Sequence, residues 1–296
     1  MKFRQLSVLI RLPNLIIAAL TILLVYYKLI FPHLILSDAI HNSLLLLEIT
    51  NIVLIMAGGY IFNDICDESI DSINKPNRQV VGIQLSVRKA LRLYWFSLGL
   101  TFAITIFLFT ITRNGVLALI HLLAMAVLFW YSKHGKGLPL LGNITVALLS
   151  ALLIAIPPLL YYRILSSSQD SWREIVLLFM AFSFVTTLFR ELIKDLEDLE
   201  GDQISGLDTI PIKWSPVKTK ILGIFYSFIL ILLLLITIFF LSESDKYMIW
   251  YLVGLLISIL YLTIHFWLAK SPNEFHSLSQ YFKLFMIQGL SLLLFF

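Results

Sequence analysis

Long apolar stretches, separated by short polar segments, run along almost the whole chain. A helix needs about 20 mostly apolar residues to cross a bilayer, and nine stretches approach or exceed that length. The pattern therefore predicts an all-α, polytopic membrane protein, and we expect a single domain over residues 1–296 because no linker interrupts the chain. The predicted spans are 8–31, 44–63, 91–112, 115–131, 141–162, 173–193, 219–241, 246–268 and 279–296.

The composition agrees with this pattern and excludes several other classes of protein. Hydrophobic residues make up 59% of the chain and charged residues 14%, against about 25% charged residues in a soluble domain. The single cysteine, Cys66, excludes an intrachain disulfide. The net charge of +4 is small and the basic residues are dispersed, so we expect no nucleic-acid partner. Nor does the sequence indicate an obligate protein partner.

The basic residues also predict an orientation. Of the 22 Lys and Arg residues, 17 fall at the N-terminus or near the loops on the same side as it. Because Lys and Arg are enriched in cytoplasmic loops, the N-terminus and the polar loops around 64–90 and 194–218 are expected to face the cytoplasm. We therefore predict a multi-pass protein of the cell (inner) membrane.

One acidic pattern, D-x-x-D-x-x-x-D, occurs twice in the chain. The second copy follows the first after 131 residues, and each copy comes directly after an apolar span. Only 18 residues of the chain are acidic, and six of them belong to these two motifs. The fixed offset suggests an old internal duplication. The six residues are Asp64, Asp67 and Asp71, followed by Asp195, Asp198 and Asp202.

Carboxylates at the edge of a bilayer are costly unless a positive charge compensates them. If the preceding helices continue into the motifs, residues three or four positions apart share one helix face, so each motif presents a row of oxygen ligands. Mg²⁺ prefers oxygen ligands and usually binds one or two carboxylates together with phosphate oxygens and water. Two facing acidic clusters therefore suggest Mg²⁺ shared with a phosphate-bearing substrate.

Basic residues near the motifs fit the phosphate side of such a site. Arg78, Lys136, Arg190 and Lys194 are predicted at the same membrane edge, and Arg11 is predicted inside the first span. A buried Arg needs an anionic partner. Arg makes bidentate contacts with phosphate, whereas Lys acts as a point charge. The alternative is that Arg11 and Lys136 serve only as topology signals.

Four stretches of the sequence resemble the UbiA superfamily of intramembrane prenyltransferases. NDICDESID at 63–71 resembles the first acidic motif of that superfamily, and RELIKDLEDLEGD at 190–202 resembles the second. YSKHGKGLPLLGN at 131–143 is similar to its middle cytoplasmic loop, and RLPN at 11–14 to its first-helix arginine signature. The resemblance covers nearly the whole chain.

The resemblance implies nine helices around a central cavity that cytoplasmic loops cap. It also implies Mg²⁺-dependent transfer of a prenyl group from a prenyl diphosphate to a lipid or aromatic acceptor in the bilayer. Asp67, Asp71, Asp198 and Asp202 would be the catalytic residues. The metal ligands would come from the set Asn63, Asp64, Asp67, Asp71, Asp195, Asp198 and Asp202. The diphosphate would be bound by Arg11, Asn14, Arg78, Lys136 and Lys194.

Departures from the family pattern lie in two loops. After Arg78 the chain reads QVVG, without the usual Pro-Leu, and Gln203 and Asp208 stand where basic residues are common. These differences affect expected diphosphate contacts and leave the proposed metal ligands intact.

The choice of acceptor is a finer question. The motif stretches are spelled most like the branch of the family that joins a prenyl group to a glycerol-phosphate lipid, which favours geranylgeranylglyceryl phosphate. An aromatic quinone precursor is the alternative acceptor. A CDP-alcohol phosphotransferase would need a D-G-x-x-A-R run, which the sequence lacks. A divalent-cation transporter would place ligands at the membrane midplane and would avoid basic residues beside them.

Overall fold

The computed structural model describes residues 3–34, 39–74, 79–163, 165, 172–240 and 246–296. Within these ranges the chain is helical, apart from loops and two isolated β-bridges. The α-helices are, in chain order, α1 Phe3–Leu9, α2 Leu12–Val25, α3 Ala39–Cys66, α4 Glu68–Asn74, α5 Val87–Thr112, α6 Gly115–Trp130, α7 Leu141–Leu160, α8 Trp172–Glu197, α9 Leu199–Ile204, α10 Ile210–Trp214, α11 Pro216–Phe240, α12 Lys246–Leu268 and α13 Pro272–Ser291.

Nine helices in these described ranges are long and apolar enough to cross a membrane, which confirms the predicted number of spans. The shortest predicted connection is also correct, because α5 ends at Thr112 and α6 begins at Gly115. Arg113 adopts a left-handed conformation with φ of 52°, and the Asn114 side chain accepts a hydrogen bond from the Leu117 N–H. These two residues therefore end one helix and cap the next.

The first predicted span, 8–31, begins too early. The helix is interrupted at Arg11, whose φ of 50° and ψ of 52° are left-handed. Pro13 then lies in the first turn of α2, where its missing N–H costs nothing. Arg11 therefore lies between α1 and α2. The prediction that it lies inside the first span is wrong.

The last predicted span, 279–296, begins too late. α13 starts at Pro272, after a capping box in which Ser271 and Glu274 exchange side-chain and backbone hydrogen bonds. This first part of the helix is polar, so a search for apolar residues does not detect it.

The chain divides into two compact units. The first contains residues 1–136 and 155–168, and the second contains residues 137–154 and 169–296. The single domain over 1–296 thus stays a prediction.

In the first unit, α3 packs closely against α5 and α6. A Cβ added at Gly58 would lie 3.2 Å from Ser97 Oγ, and one added at Gly59 would lie 2.9 Å from Leu128. The Ser97 hydroxyl donates to the Leu54 carbonyl at 2.9 Å. Small residues thus let these helices approach, as is common between membrane helices.

In the second unit, α8 packs against α11, α12 and α13. The fully buried Phe189 ring lies 5.0 Å from Phe266 and 4.6 Å from Phe282, measured between ring centroids. A Cβ at Gly223 would lie 2.3 Å from Phe266, so only glycine leaves room for that ring. This aromatic core holds the helix that carries the second acidic motif.

Candidate functional site

The first acidic motif lies where α3 ends and α4 begins. α3 reaches Cys66, Asp67 interrupts it, and α4 starts at Glu68. The backbone still makes helical hydrogen bonds across the interruption, since the Asp67 N–H donates to the Asn63 carbonyl at 2.9 Å and the Asp71 N–H to the Asp67 carbonyl at 2.8 Å. The continued helical spacing therefore keeps these residues on one face, as the sequence predicted.

Asp67 is buried, with 4% of its surface exposed, and two donors hold its carboxylate. Lys136 Nζ lies 2.5 Å from Asp67 Oδ2, and Asn63 Nδ2 lies 2.7 Å from the same oxygen. Lys136 follows a π-helical turn, Tyr131–Gly135, that extends α6. The ammonium group balances a charge that would be costly to bury alone.

Asp64 binds the arginine that interrupts the first helix. Arg11 Nη2 donates to Asp64 Oδ1 at 3.2 Å, and the guanidinium lies 4.7 Å above the centre of the Tyr60 ring. Asn14 donates to the Tyr60 hydroxyl at 3.4 Å. Burial disfavours the charge on Arg11, but Asp64 and further acidic groups raise the pKa of its guanidinium above the ordinary value. The anionic partner expected for Arg11 is thus Asp64.

The loop after α4 packs back on the first motif. Gln79 donates to the Glu68 carbonyl at 2.7 Å, and the Gly82 N–H donates to the Leu85 carbonyl at 2.9 Å. Gly82 has φ of 88°, a conformation that favours glycine. Gln79 thus replaces the usual Pro of the family pattern with a side chain that fixes the loop. The predicted diphosphate ligand Arg78 lies outside the described residues.

The second motif repeats the same change of helix. α8 ends at Glu197, Asp198 interrupts it, and α9 begins at Leu199, each 131 residues after its counterpart in the first motif. The Asp202 N–H donates to the Asp198 carbonyl at 3.0 Å, and Asp202 is buried. The Glu197 carboxylate lies 2.6 Å from a ring nitrogen of His276 on α13.

The partners of the second motif differ from those of the first. Asn143, near the start of α7, donates to Asp195 Oδ2 at 2.9 Å. Arg190 and Lys194 both contact Glu191 Oε1, at 3.2 and 2.6 Å. Lys194, predicted to bind diphosphate, thus contacts a carboxylate one turn before the motif. Asn143 was not predicted as a site residue, although it ends the stretch that resembles the middle loop.

A glycine also shapes the loop after the second motif. Gly206 has φ of 70°, and the Asp208 N–H donates to the Gly137 carbonyl at 3.2 Å. Asp208 accepts from Lys213 at 2.8 Å. The acidic residue that departs from the family pattern therefore has a basic partner five residues later, on α10.

Comparison with known proteins identifies the family. The profile of the UbiA prenyltransferase family matches residues 15–287. The chain belongs to the UbiA prenyltransferase family. The resemblance found in the sequence is thereby confirmed, as are the enzyme class and the multi-pass membrane character.

Named relatives and solved structures agree with this family. The chain is 33% identical to digeranylgeranylglyceryl phosphate synthase of Sulfurisphaera tokodaii, over 72% of this chain and 70% of that protein. For two further synthases of that name the match covers 55% and 62% of their length. A solved structure of a digeranylgeranylglyceryl phosphate synthase has a TM-score of 0.69 and 21% identity, over 98% of this chain and 96% of its own. A UbiA homologue from Archaeoglobus fulgidus bound to GPP and Mg²⁺ has a TM-score of 0.61 and 21% identity, over 98% and 99%.

The donor chemistry of both motifs fits a hard cation. Carboxylate and amide oxygens are the ligands that Mg²⁺ prefers, and it usually needs only one or two carboxylates from the protein. Within the ranges that the structure covers, no three His, Cys, Asp or Glu side chains form a ready-made ion site.

Proposed function

We propose that this protein transfers a geranylgeranyl group from its diphosphate to geranylgeranylglyceryl phosphate, in a Mg²⁺-dependent reaction within the membrane. The observation that supports this most is the buried Asp67, held by Lys136 at the end of a membrane-spanning helix. The carboxylate of this pair could bind a cation, and the ammonium group could bind a phosphate. The lipid acceptor is suggested by the relatives named digeranylgeranylglyceryl phosphate synthase.

The proposed reaction begins when the allylic C–O bond breaks and pyrophosphate leaves with the electron pair. Mg²⁺, when bound, would neutralise charge on the diphosphate. Asp67, Asp71, Asp198 and Asp202 are the proposed ligands, with Asn63, Asp64 and Asp195 supporting them. The motif residues thus act where negative charge develops, which is the most effective place for electrostatic stabilisation.

Basic side chains would contact the diphosphate oxygens directly. Lys136 and Arg11 already lie beside Asp67 and Asp64, and Asn14 lies one turn from Arg11. Arg78 and Lys194 complete the proposed set. To reach a phosphate, Lys194 would have to leave Glu191, just as Lys136 would have to leave Asp67.

The allylic cation must then meet the acceptor before it meets water. Apolar surroundings would exclude water from this cation. The acceptor hydroxyl oxygen forms the new C–O bond and loses its proton. A carboxylate of the second motif or the released pyrophosphate would accept that proton, so the product is an ether and the charges balance.

The assay that tests this function uses purified protein in liposomes with radiolabelled geranylgeranyl diphosphate. Geranylgeranylglyceryl phosphate and several phenolic acceptors would be offered together, with and without EDTA. We expect label in the glycerol-phosphate lipid alone, and loss of transfer with EDTA. Label in a phenol would replace the proposed acceptor with an aromatic one, and no transfer to any acceptor would contradict the function. Glu200→Gln, on the exposed side of α9, is the matched control and should remain active.

The proposed orientation has its own test. Cys66 is the only cysteine, so a Cys66→Ser background accepts a new reporter cysteine, Glu200→Cys. A membrane-impermeant maleimide should label that reporter in inside-out vesicles and not in intact cells. Labelling of intact cells would reverse the predicted orientation.

A further inference from the structure

A polar cluster lies buried among the apolar helices of the first unit, far from the acidic motif. Glu48 and Asn51 of α3 are 0% exposed, Thr105 of α5 is 3% exposed, and His121 of α6 is 1% exposed. Glu48 precedes Asp67 by 19 residues along the chain. At 1.5 Å per residue this separates the two carboxylates by about 28 Å, almost a bilayer core. The proposed transfer reaction therefore leaves this cluster unused.

The hydrogen bonds of the cluster define the protonation of the histidine. Asn51 Nδ2 lies 3.2 Å from both His121 Nδ1 and Thr105 Oγ1. An amide nitrogen only donates, so His121 Nδ1 accepts and the ring proton is on Nε2. That proton points to Glu48 Oε1 at 2.7 Å. In this arrangement the imidazole is neutral, and it does not cancel the charge of an ionised Glu48.

Two buried oxygens of the cluster have no hydrogen-bond partner among the described residues. They are Glu48 Oε2 and Asn51 Oδ1, which belong to side chains one turn apart on α3. An uncompensated carboxylate at this depth is costly, and so is an unpaired amide oxygen. Both atoms are acceptors, and the Thr105 hydroxyl oxygen accepts from the Asn51 amide nitrogen at 3.2 Å. The two unpaired oxygens of the cluster could therefore bind a positively charged ligand.

We propose that Glu48, Asn51 and Thr105 form a binding site for one monovalent cation, such as Na⁺. The charge balance sets the valence, because one carboxylate and a neutral imidazole leave a single negative charge. A divalent ion would leave a buried positive charge instead. The carboxylate, amide and hydroxyl oxygens are hard ligands suited to such an ion. By binding oxygens from α3 and α5, the cation would fasten two membrane helices together.

The experiment measures thermal unfolding of the full chain in detergent with EDTA present. Na⁺ replaces choline at constant ionic strength, so that screening stays fixed. A cation that binds only the folded protein stabilises it in proportion to the logarithm of its concentration once the site fills. We expect Na⁺ to raise the unfolding temperature of the wild type, and ²²Na⁺ to bind with a stoichiometry of about one per chain by this charge balance.

Two variants test this site, and two control variants test the rest of the molecule. Glu48→Gln removes the charge and keeps the shape, and should abolish both the Na⁺ response and ²²Na⁺ binding. Thr105→Val removes one oxygen and should weaken both, which keeps the test possible if Glu48→Gln fails to fold. Glu174→Gln makes the same chemical change at an exposed position and should respond like the wild type. Asp67→Asn should also keep the Na⁺ response, because the acidic motif is a separate site.

Three results would overturn the proposal. The first is equal stability in Na⁺ and choline, and the second is a Na⁺ response that persists in Glu48→Gln. The third is stabilisation by lower pH in choline with no further effect of Na⁺, which would identify a proton as the compensating charge.

Discussion

The two acidic motifs share a backbone and differ in their partners. Asp67 and Asp198 interrupt their helices at matching positions, and each interruption keeps the helical hydrogen bonding. In the first motif the carboxylate of Asp64 is bound by the guanidinium group of Arg11, and that of Asp67 by the ammonium group of Lys136. In the second, Asp195, which matches Asp64, is bound by the neutral amide of Asn143. The repeated spacing thus fixes where the carboxylates lie, and the rest of each unit sets how their charge is balanced.

This difference gives the two motifs different tasks in the proposed reaction. In the proposed reaction Asp67 would hold the cation, and Lys136 would then contact a phosphate oxygen instead of Asp67. In the second motif the Asn143 amide donates to the carboxyl group of Asp195. We therefore expect Asp67 to depend on the basic residue Lys136, and Asp195 to depend on the amide of Asn143.

The largest expected effect is loss of transfer when either central aspartate is changed. Asp67→Asn and Asp198→Asn keep the shape of the side chain and remove its charge. Each should reduce the rate of transfer by about 10²–10³-fold, as loss of one electrostatic contact to a transition state does. Initial rates at saturating donor measure this. A large loss in only one variant would show that the two motifs do not serve the same chemistry.

Lys136→Met should have the next largest effect. Its main effect should be on the stability of the fold. It leaves Asp67 buried without its cation, so the free energy of unfolding should fall by about 3 kcal/mol, the lower end of the range for breaking a buried ion pair. Urea or thermal unfolding without metal measures this. Added Mg²⁺ should restore part of the loss, and Lys136→Arg, which keeps the charge, is the control. Unchanged stability would show that the contact is dispensable.

Asn143→Leu should cost less than Lys136→Met, because the lost partner is neutral. Removing the amide leaves a partly buried Asp195 oxygen without this donor, at a cost of about 1–3 kcal/mol in the free energy of unfolding. The Mg²⁺ concentration that gives half-maximal transfer should also rise by about 10–100-fold, as it does when a residue that orients a ligand is lost. Asn143→Gln tests whether any amide suffices. A Mg²⁺ dependence like that of the wild type would remove Asn143 from the site.

The smallest effects are expected from the two glycines in the loops after the motifs. Both have positive φ, so alanine costs about 1–2 kcal/mol at each. A Cβ at Gly82 would also lie 2.4 Å from Glu68 Oε1, whereas nothing lies within 4 Å of one at Gly206. Gly82→Ala should therefore lower the unfolding temperature more than Gly206→Ala. The reverse order would contradict the described packing of the first loop.

Local features of this fold were predictable from the sequence, and contacts between distant residues were not. The number of spans and the shared face of Asn63, Asp67 and Asp71 follow from helical periodicity within one segment. The contact of Asn143 with Asp195 joins residues 52 positions apart, and no local pattern encodes it. The start of α13 at Pro272 was not predicted from hydropathy because the first part of the helix and its cap at Ser271 are polar.

At two further residues, Glu48 and Arg11, the sequence is unusual, but the sequence alone does not predict the structure found there. Glu48 stands inside an apolar run, which marks an unusual residue, but its partner His121 comes from another helix. Arg11 was predicted to have an anionic partner, and it has one in Asp64. The interruption of the helix at Arg11 was not predicted, because a left-handed residue before Pro13 has no signature in hydropathy.

The central proposal is that binding of Mg²⁺–diphosphate requires both acidic motifs. The most direct measurement is calorimetric binding of an unreactive geranylgeranyl thiodiphosphate to the wild type, Asp67→Asn and Asp198→Asn, each with Mg²⁺ and with EDTA. We predict Mg²⁺-dependent binding to the wild type that both substitutions weaken strongly. Binding that survives EDTA, or that either substitution leaves unchanged, would contradict the claim.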